Sequence, residues 1–234
     1  MTLRDYQQRA IDMVYQYFID GNDGNPCIVM PTGSGKSHVI AAFCQDVLTR
    51  WPRQRILMLT HVKELIEQNA EKMRQHWHHA PLGIYSAGMD KRELGWPITF
   101  AGIQSVDRRA AELGHIDIIL IDEAHLVNHR NQGRYRKLIN DLTAINPALR
   151  VIGLTATPYR LGHGLITDSP ELFDAILEPV DIVELITGGY LAPLKSKLTD
   201  AHLDTTGVTI RAGDYAKGEL ERAVNTAKNN TTTV

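Results

Sequence analysis

The chain has 234 residues, 22% of them charged and 43% hydrophobic, with a formal net charge of −2. This is the balance of an ordinary globular protein with one sizeable core and room for an appendage, and it offers no overall basic field to advertise nucleic acid. The two cysteines, Cys27 and Cys44, stand in apolar surroundings, which argues against a disulfide framework or zinc site. No apolar run approaches the ~18 residues of a membrane span and the N-terminus is not a signal peptide, so no membrane association is expected and the expected compartment is the cytoplasm.

In chain order, periodicity predicts a helix over about 4–20, a short buried strand over 26–30 and a helix over 36–50. There follow a strand over 55–60, a helix over 62–78, strands over 82–86 and 98–102, and a helix over 104–113. The run His76-Trp77-His78-His79 has no acidic or Cys partner at ligand spacing and reads as a solvated helix end. A strand over 116–121, a helix over 133–145, a strand over 150–155 and a helix over 171–187 complete the series. Repeated βα units of this kind predict an α/β fold, a mostly parallel sheet with helices on both faces. Right-handed crossovers would then carry every strand C-terminus to one edge of the sheet. After Tyr190 the sequence turns polar and aperiodic, with strand-like fragments at 200–206 and 208–213 and a helix over 214–228. The expected organisation is one domain over 1–190, followed over 191–234 by a linker or the start of a second, incomplete unit.

Two motifs carry chemistry. The loop Pro31-Thr32-Gly33-Ser34-Gly35-Lys36-Ser37 follows a short apolar strand and opens a helix, the context of a phosphate-binding loop. Glycine tolerates backbone angles that let successive N–H groups of residues 32–37 point at phosphate oxygens. Lys36 adds a positive charge for the β- and γ-phosphates of ATP, and the Ser37 hydroxyl is placed to hold Mg²⁺. Met30 stands where the generic motif has its first glycine. The second motif, Asp122-Glu123-Ala124-His125, ends a β-branched run, so a buried strand would deliver both carboxylates to the ligand-binding edge. Asp122 is expected to hold Mg²⁺ and Glu123 to polarise the attacking water as general base.

With those residues in place, the chain resembles the first RecA-like domain of a superfamily 2 DEAD/DEAH-type helicase over about residues 1–195. Leu3-Arg4-Asp5-Tyr6-Gln7 resembles the adenine-recognition motif, which implies that Gln7 reads the base edge with Arg4 or Tyr6 close to the ring. Pro31–Ser37 is similar to motif I in its helicase form, where the first glycine is commonly replaced. The stretches 59–65 and 99–105 resemble motif Ia and the segment around motif Ib, Asp122–His125 is similar to motif II in its DEAH form, and Thr155-Ala156-Thr157-Pro158 to motif III. Within the superfamily, His61–Leu65 and Gly153–Gly164 are similar to the bacterial RadD DNA-repair ATPases.

The resemblance implies a role for each remaining residue. Thr60, His61 and Lys63, with Gln104 and Ser105 at a helix start, are expected to meet a phosphodiester backbone without reading sequence. His125, Thr155 and Thr157 are expected to hydrogen-bond and so couple the γ-phosphate to the nucleic-acid side, and Arg160 to contact nucleic acid or a second domain. The implied activity is ATP hydrolysis driving movement on nucleic acid, DNA rather than RNA on the RadD resemblance, by a monomer with a second RecA-like domain supplying arginines. Alone, the chain is expected to hydrolyse ATP weakly. Two alternatives stay open: the motor of a restriction or remodelling machine on duplex DNA, and a self-contained P-loop kinase-type enzyme.

Overall fold

The computed structural model of the chain describes residues 2–61, 63–127, 133–160, 164–168, 172–193, 205, 207–211 and 214–225. Helix α1 (Asp5–Ile19) buries Tyr6, Gln7, Ala10, Ile11 and Val14, the single stripe of an amphipathic helix. It is followed by β1 (Pro26–Val29), α2 (Lys36–Arg50), β2 (Ile56–Thr60), α3 (Lys63–His76), β3 (Leu82–Ser86), the short β4 (Lys91–Arg92) and β5 (Ile98–Gly102). Two one-turn helices, α4 (Ile103–Val106) and α5 (Ala110–Leu113), precede β6 (Ile118–Asp122), α6 (Arg134–Ile145) and β7 (Arg150–Thr155). Downstream lie β8 (Tyr159–Arg160), β9 (Gly164–Leu165), β10 (Ala175–Leu177), α7 (Ile182–Thr187), β11 (Ile210–Arg211), β12 (Asp214–Tyr215) and α8 (Lys217–Val224).

Among the described residues, eight strands form one sheet in the order β10-β1-β7-β6-β2-β5-β3-β4. Every adjacent pair is parallel except β3 with β4, as the expected α/β class requires. The side-chain alternation of a strand divides the core in two. Ile56, Met58, Leu120, Ile152 and Leu154 pack with Val14 of α1, Val39 and Val47 of α2, and Ile66 and Met73 of α3. Leu57, Leu59, Ile119, Ile121 and Val151 pack with Val106, Leu113, Leu138 and Leu142 of α4, α5 and α6. With both faces covered, the strands are apolar at nearly every position, which is why they read as continuous runs.

Three expectations are corrected. The helix predicted over 104–113 is two single turns, because Arg109 leaves helical backbone at φ −123°, ψ 28°. The helix predicted over 171–187 is a strand and a shorter helix. Ala175–Leu177 pairs in parallel with β1 as an edge strand, and Pro179 then bars helical backbone at the residue before it. Helix α7 starts afresh behind Asp181, whose carboxylate accepts the Glu184 N–H at 2.7 Å. Beyond Tyr190, β11 and β12 pair antiparallel, so the first two residues of the predicted 214–228 helix are strand and α8 begins at Lys217; residues 226–228 lie outside the described residues. The predicted fragment at 200–206 lies outside the described residues apart from Thr205.

Candidate active site

The strand order sets the C-terminal ends of β1, β7 and β6 side by side, and β2, β5 and β3 beside those. The Met30 N–H bonds the Thr155 carbonyl at 3.0 Å, extending the β1–β7 ladder into the loop. Met30 is fully buried, so this position carries core packing, and the tight turning falls to Gly33 and Gly35 at φ +82° and +87°. Gly35 caps the start of α2 in left-handed conformation, and Thr32 at the outer turn is exposed. Ser37 follows Lys36 in the first turn of α2, where N–H groups lack intrahelical partners. The Lys36 ammonium donates to the Met30 carbonyl at 3.2 Å. Burial pulls its pKa below the ordinary lysine value, against the opposing pull of the Glu123 and Asp122 carboxylates.

The N-terminal end of α1 is locked onto this loop. Tyr6 Oη and Gln7 Nε2 both donate to the Ser34 carbonyl, at 2.9 and 3.0 Å. Gln7 Oε1 accepts the Arg4 N–H at 3.0 Å. Each of these bonds uses one of the two acceptor sites on Oε1 and one of the two hydrogens on Nε2, so an acceptor and a donor of Gln7 remain for the adenine edge expected of it. Arg4 donates to Tyr6 Oη at 3.1 Å, and its guanidinium lies 4.4 Å from the Tyr190 ring centroid. Arg4, Gln7, Gly35, His38, Gln75 and His76 line a cleft of about 430 Å³ beside the loop, within the range of small-molecule sites. Here the His38 and His76 ring centroids lie 3.8 Å apart with the planes tilted by 42°. Burial lowers both imidazole pKa values, helped by Arg4 and Lys72 at His38 and by His38 and Lys72 at His76.

Asp122 ends β6 and is 8% exposed. Its Oδ1 accepts the Glu123 N–H at 3.0 Å and its Oδ2 accepts Asn69 Nδ2 at 2.8 Å. Glu123 then turns the chain through left-handed backbone at φ 50°, ψ 51°, a conformation that costs a non-glycine residue about 1–3 kcal/mol. The turn opens a short 3₁₀ segment, Ala124–Leu126. His125 Nδ1 lies 3.3 Å from Glu123 Oε2 and 2.9 Å from Thr155 Oγ1. The Thr155 hydroxyl in turn accepts the Thr157 N–H and meets the Thr157 carbonyl, both at 3.1 Å. His125, Thr155 and Thr157 thus form one chain of hydrogen bonds between the loops after β6 and β7.

The neighbouring half of the edge is held by its own bonds. Gln104 Nε2 donates to the His61 carbonyl at 3.0 Å, and Ser105 Oγ accepts the Ala87 N–H at 3.0 Å. His61, Lys63 and Gln104 are exposed, and the Lys63 stem runs over Gly88. Two expectations change here. Thr60 is 2% exposed as the last residue of β2, so it does not present its hydroxyl at the surface. Gln104 and Ser105 stand in the single turn of α4, too short for the helix-terminus anion site expected. Arg92 and Arg108 share a cleft with Gln104 and Ser105, and no motif marked them. The side chain of Arg160 lies outside the described residues. Asn69 also escaped the sequence reading. Its signal was a polar residue set among Ile66, Ala70 and Met73 on the buried stripe of α3.

Comparison with known proteins agrees with this geometry. The family described as "Type III restriction enzyme, res subunit" matches residues 1–160. A 51.5 kDa protein of a Lactococcus phage is 30% identical over 200 residues, covering 84% of this chain and 37% of that protein. The ATP-dependent RNA helicase DHX58 of Mus musculus is 27% identical over 76% of this chain and 28% of its own length. The ATP-dependent DNA helicase fml1 of Schizosaccharomyces pombe is 22% identical over 68% of this chain and 19% of its own. The chain thus spans well under half the length of these relatives. Among solved structures, the UvsW helicase of bacteriophage T4 superposes with a TM-score of 0.59 at 18% identity, over 76% of this chain and 61% of that one. The type ISP restriction-modification enzyme LlaGI, in complex with a DNA substrate mimic, gives 0.58 at 14% identity over 81% of this chain and 21% of that one. The chain belongs to the family described as the res subunit of type III restriction enzymes, and within it is a RecA-like domain of the superfamily 2 helicase type, corresponding to the first such domain of those helicases.

Proposed function

We propose that the chain is the ATP-binding motor half of a DNA-dependent ATPase that acts in repair or recombination. The observation that carries this reading is the meeting of three loops on one sheet edge: the glycine loop after β1, Asp122 and Glu123 after β6, and Thr155 after β7. The left-handed glycines fit the close approach of a polyphosphate. The oxygen donors Ser37 and Asp122 fit Mg²⁺, which when bound would neutralise charge on the phosphates. In this reading Thr32 to Ser37 cradle the phosphates and Lys36 leaves the Met30 carbonyl to meet them. Arg4 flanks the base, and Gln7 secures the loop while its remaining acceptor site and hydrogen read the adenine edge. Glu123 orients the attacking water as general base, and His125, Thr155 and Thr157 carry the γ-phosphate's state across the edge. His61, Lys63, Gln104 and Ser105, joined by Arg92 and Arg108, would meet a nucleic-acid backbone.

DNA as the partner is supported by the fission-yeast relative, named a DNA helicase, by LlaGI with its DNA mimic, and by the RadD-like wording of 61–65 and 153–164. The mouse relative is named an RNA helicase, so the preference for DNA rests on the other three observations. Residues 1–190 would form the motor domain and 191–234 lead to a second RecA-like domain, without which turnover is weak because one wall of the site is missing. A monomeric motor in the cytoplasm completes the reading, and among the described residues no helix is long and apolar enough to cross a membrane. A restriction motor on duplex DNA is the second reading, favoured by the description of the matching family. The direct test is equilibrium binding of a fluorescent ATP analogue with Mg²⁺. Saturable binding lost in Lys36→Ala supports the reading; equal binding by both chains, or none by either, contradicts it.

A further inference from the structure

Asn69 stands near the middle of α3, 9% exposed, among Ile66, Ala70 and Met73. An amide buried on an apolar stripe is costly unless it has a partner. The partner is the Asp122 carboxylate, 53 residues away in sequence, which accepts Asn69 Nδ2 at 2.8 Å through Oδ2. The other oxygen, Oδ1, is held by the Glu123 N–H at 3.0 Å. One donor on each oxygen fixes the plane of the carboxylate. Lys36 supplies neither of those bonds, since its ammonium lies on the Met30 carbonyl. An ionised carboxylate has about four acceptor sites, so each oxygen keeps capacity for a further bond.

We propose that Asn69 is a positioning residue for Asp122: it holds the carboxylate in the one orientation in which its remaining lone pairs meet the divalent cation of a bound nucleotide. The inference rests on the nucleotide site proposed above and adds a residue that none of its motifs contains. Residues that orient a ligating carboxylate act on metal affinity without touching the metal. A merely structural role, satisfying a buried acid, would move thermal stability and leave metal affinity alone.

The test uses the 234-residue chain, a fluorescent ADP analogue, and Mg²⁺ titrated from an EDTA baseline. Binding in EDTA reports the loop and base side, and its persistence in Asn69→Leu shows that the site has folded. The expected result is EDTA binding within about 2-fold of the unmodified chain, with the Mg²⁺ concentration for half-maximal tightening raised about 10–100-fold. If the leucine variant does not fold, Asn69→Ala carries the same comparison. A Mg²⁺ curve that coincides with the unmodified chain, with only the melting temperature lowered, overturns the proposal. An unmodified chain that binds no nucleotide overturns the nucleotide reading and this inference together, an outcome distinguished by its flat signal before any substitution is made.

Discussion

Gly35→Ala tests the lock between α1 and the loop, and a second glycine supplies its control. Gly35 has φ +87°, and a Cβ there would lie 2.5 Å from Gln7 Nε2. Left-handed backbone costs an alanine about 1–2 kcal/mol. Moving Gln7 aside also gives up its bond to the Ser34 carbonyl and the acceptor for the Arg4 N–H, about 1 kcal/mol each. The sum is about 3–4 kcal/mol. Gly21 has nearly the same backbone, φ +84°, with nothing within 4 Å of its added Cβ. Gly21→Ala therefore carries the backbone cost alone, about 1–2 kcal/mol. At roughly 2–4 °C per kcal/mol for a domain of this size, the two variants should melt about 4–8 °C apart, Gly35→Ala lower. Thermal melts followed by circular dichroism measure the gap, and nucleotide binding by Gly21→Ala should stay intact. Variants melting within about 1 °C of each other would refute the lock, because the backbone term alone would then account for both.

Three further outcomes follow from the site and core. Glu123→Gln removes the carboxylate proposed as general base and keeps the side-chain shape, so nucleotide binding should persist while single-turnover hydrolysis falls about 10²–10⁴-fold; unchanged hydrolysis would contradict the assignment. Thr155→Val keeps the volume of a fully buried side chain and removes the hydroxyl 2.9 Å from His125. With its bonds to His125, the Thr157 carbonyl and the Thr157 N–H all lost, it should cost about 3 kcal/mol in stability and lower nucleic-acid stimulation of turnover in a two-domain protein more than basal turnover, whereas a parallel loss of both would contradict coupling. Gly153→Ala would set a Cβ 2.6 Å from Phe173 and 2.8 Å from Cys27 Sγ. It should destabilise by about 1–3 kcal/mol in a urea melt, and a neutral result would show that Phe173 can move away.

The strands were legible because of where they lie. The β2, β3, β5 and β7 stretches are buried on both faces, so an apolar run bounded by turn residues locates them almost to the residue. The glycine loop was legible for a different reason: its chemistry demands residue types that chance rarely assembles in order. What the sequence hid depends on long-range packing. Ala175-Ile176-Leu177 reads equally as helix or strand, and only the open edge of β1 decides it. Thr60 is polar and ends a strand, yet it is covered, which no periodicity reveals. Gln7 reads as a base-contacting amide, and only the fold reveals its second task, tying the Ser34 carbonyl and the Arg4 N–H. Asn69 needed the knowledge that the buried stripe of α3 faces the tip of β6.

The central claim is that this edge turns nucleotide hydrolysis into action on nucleic acid. It is tested most directly by ATP turnover in a protein in which this chain is joined to a second RecA-like domain, with and without single-stranded and duplex DNA, beside Lys36→Ala. Turnover should rise with DNA and disappear in the variant. Robust turnover indifferent to every nucleic acid would contradict it and move a self-contained P-loop enzyme to the front.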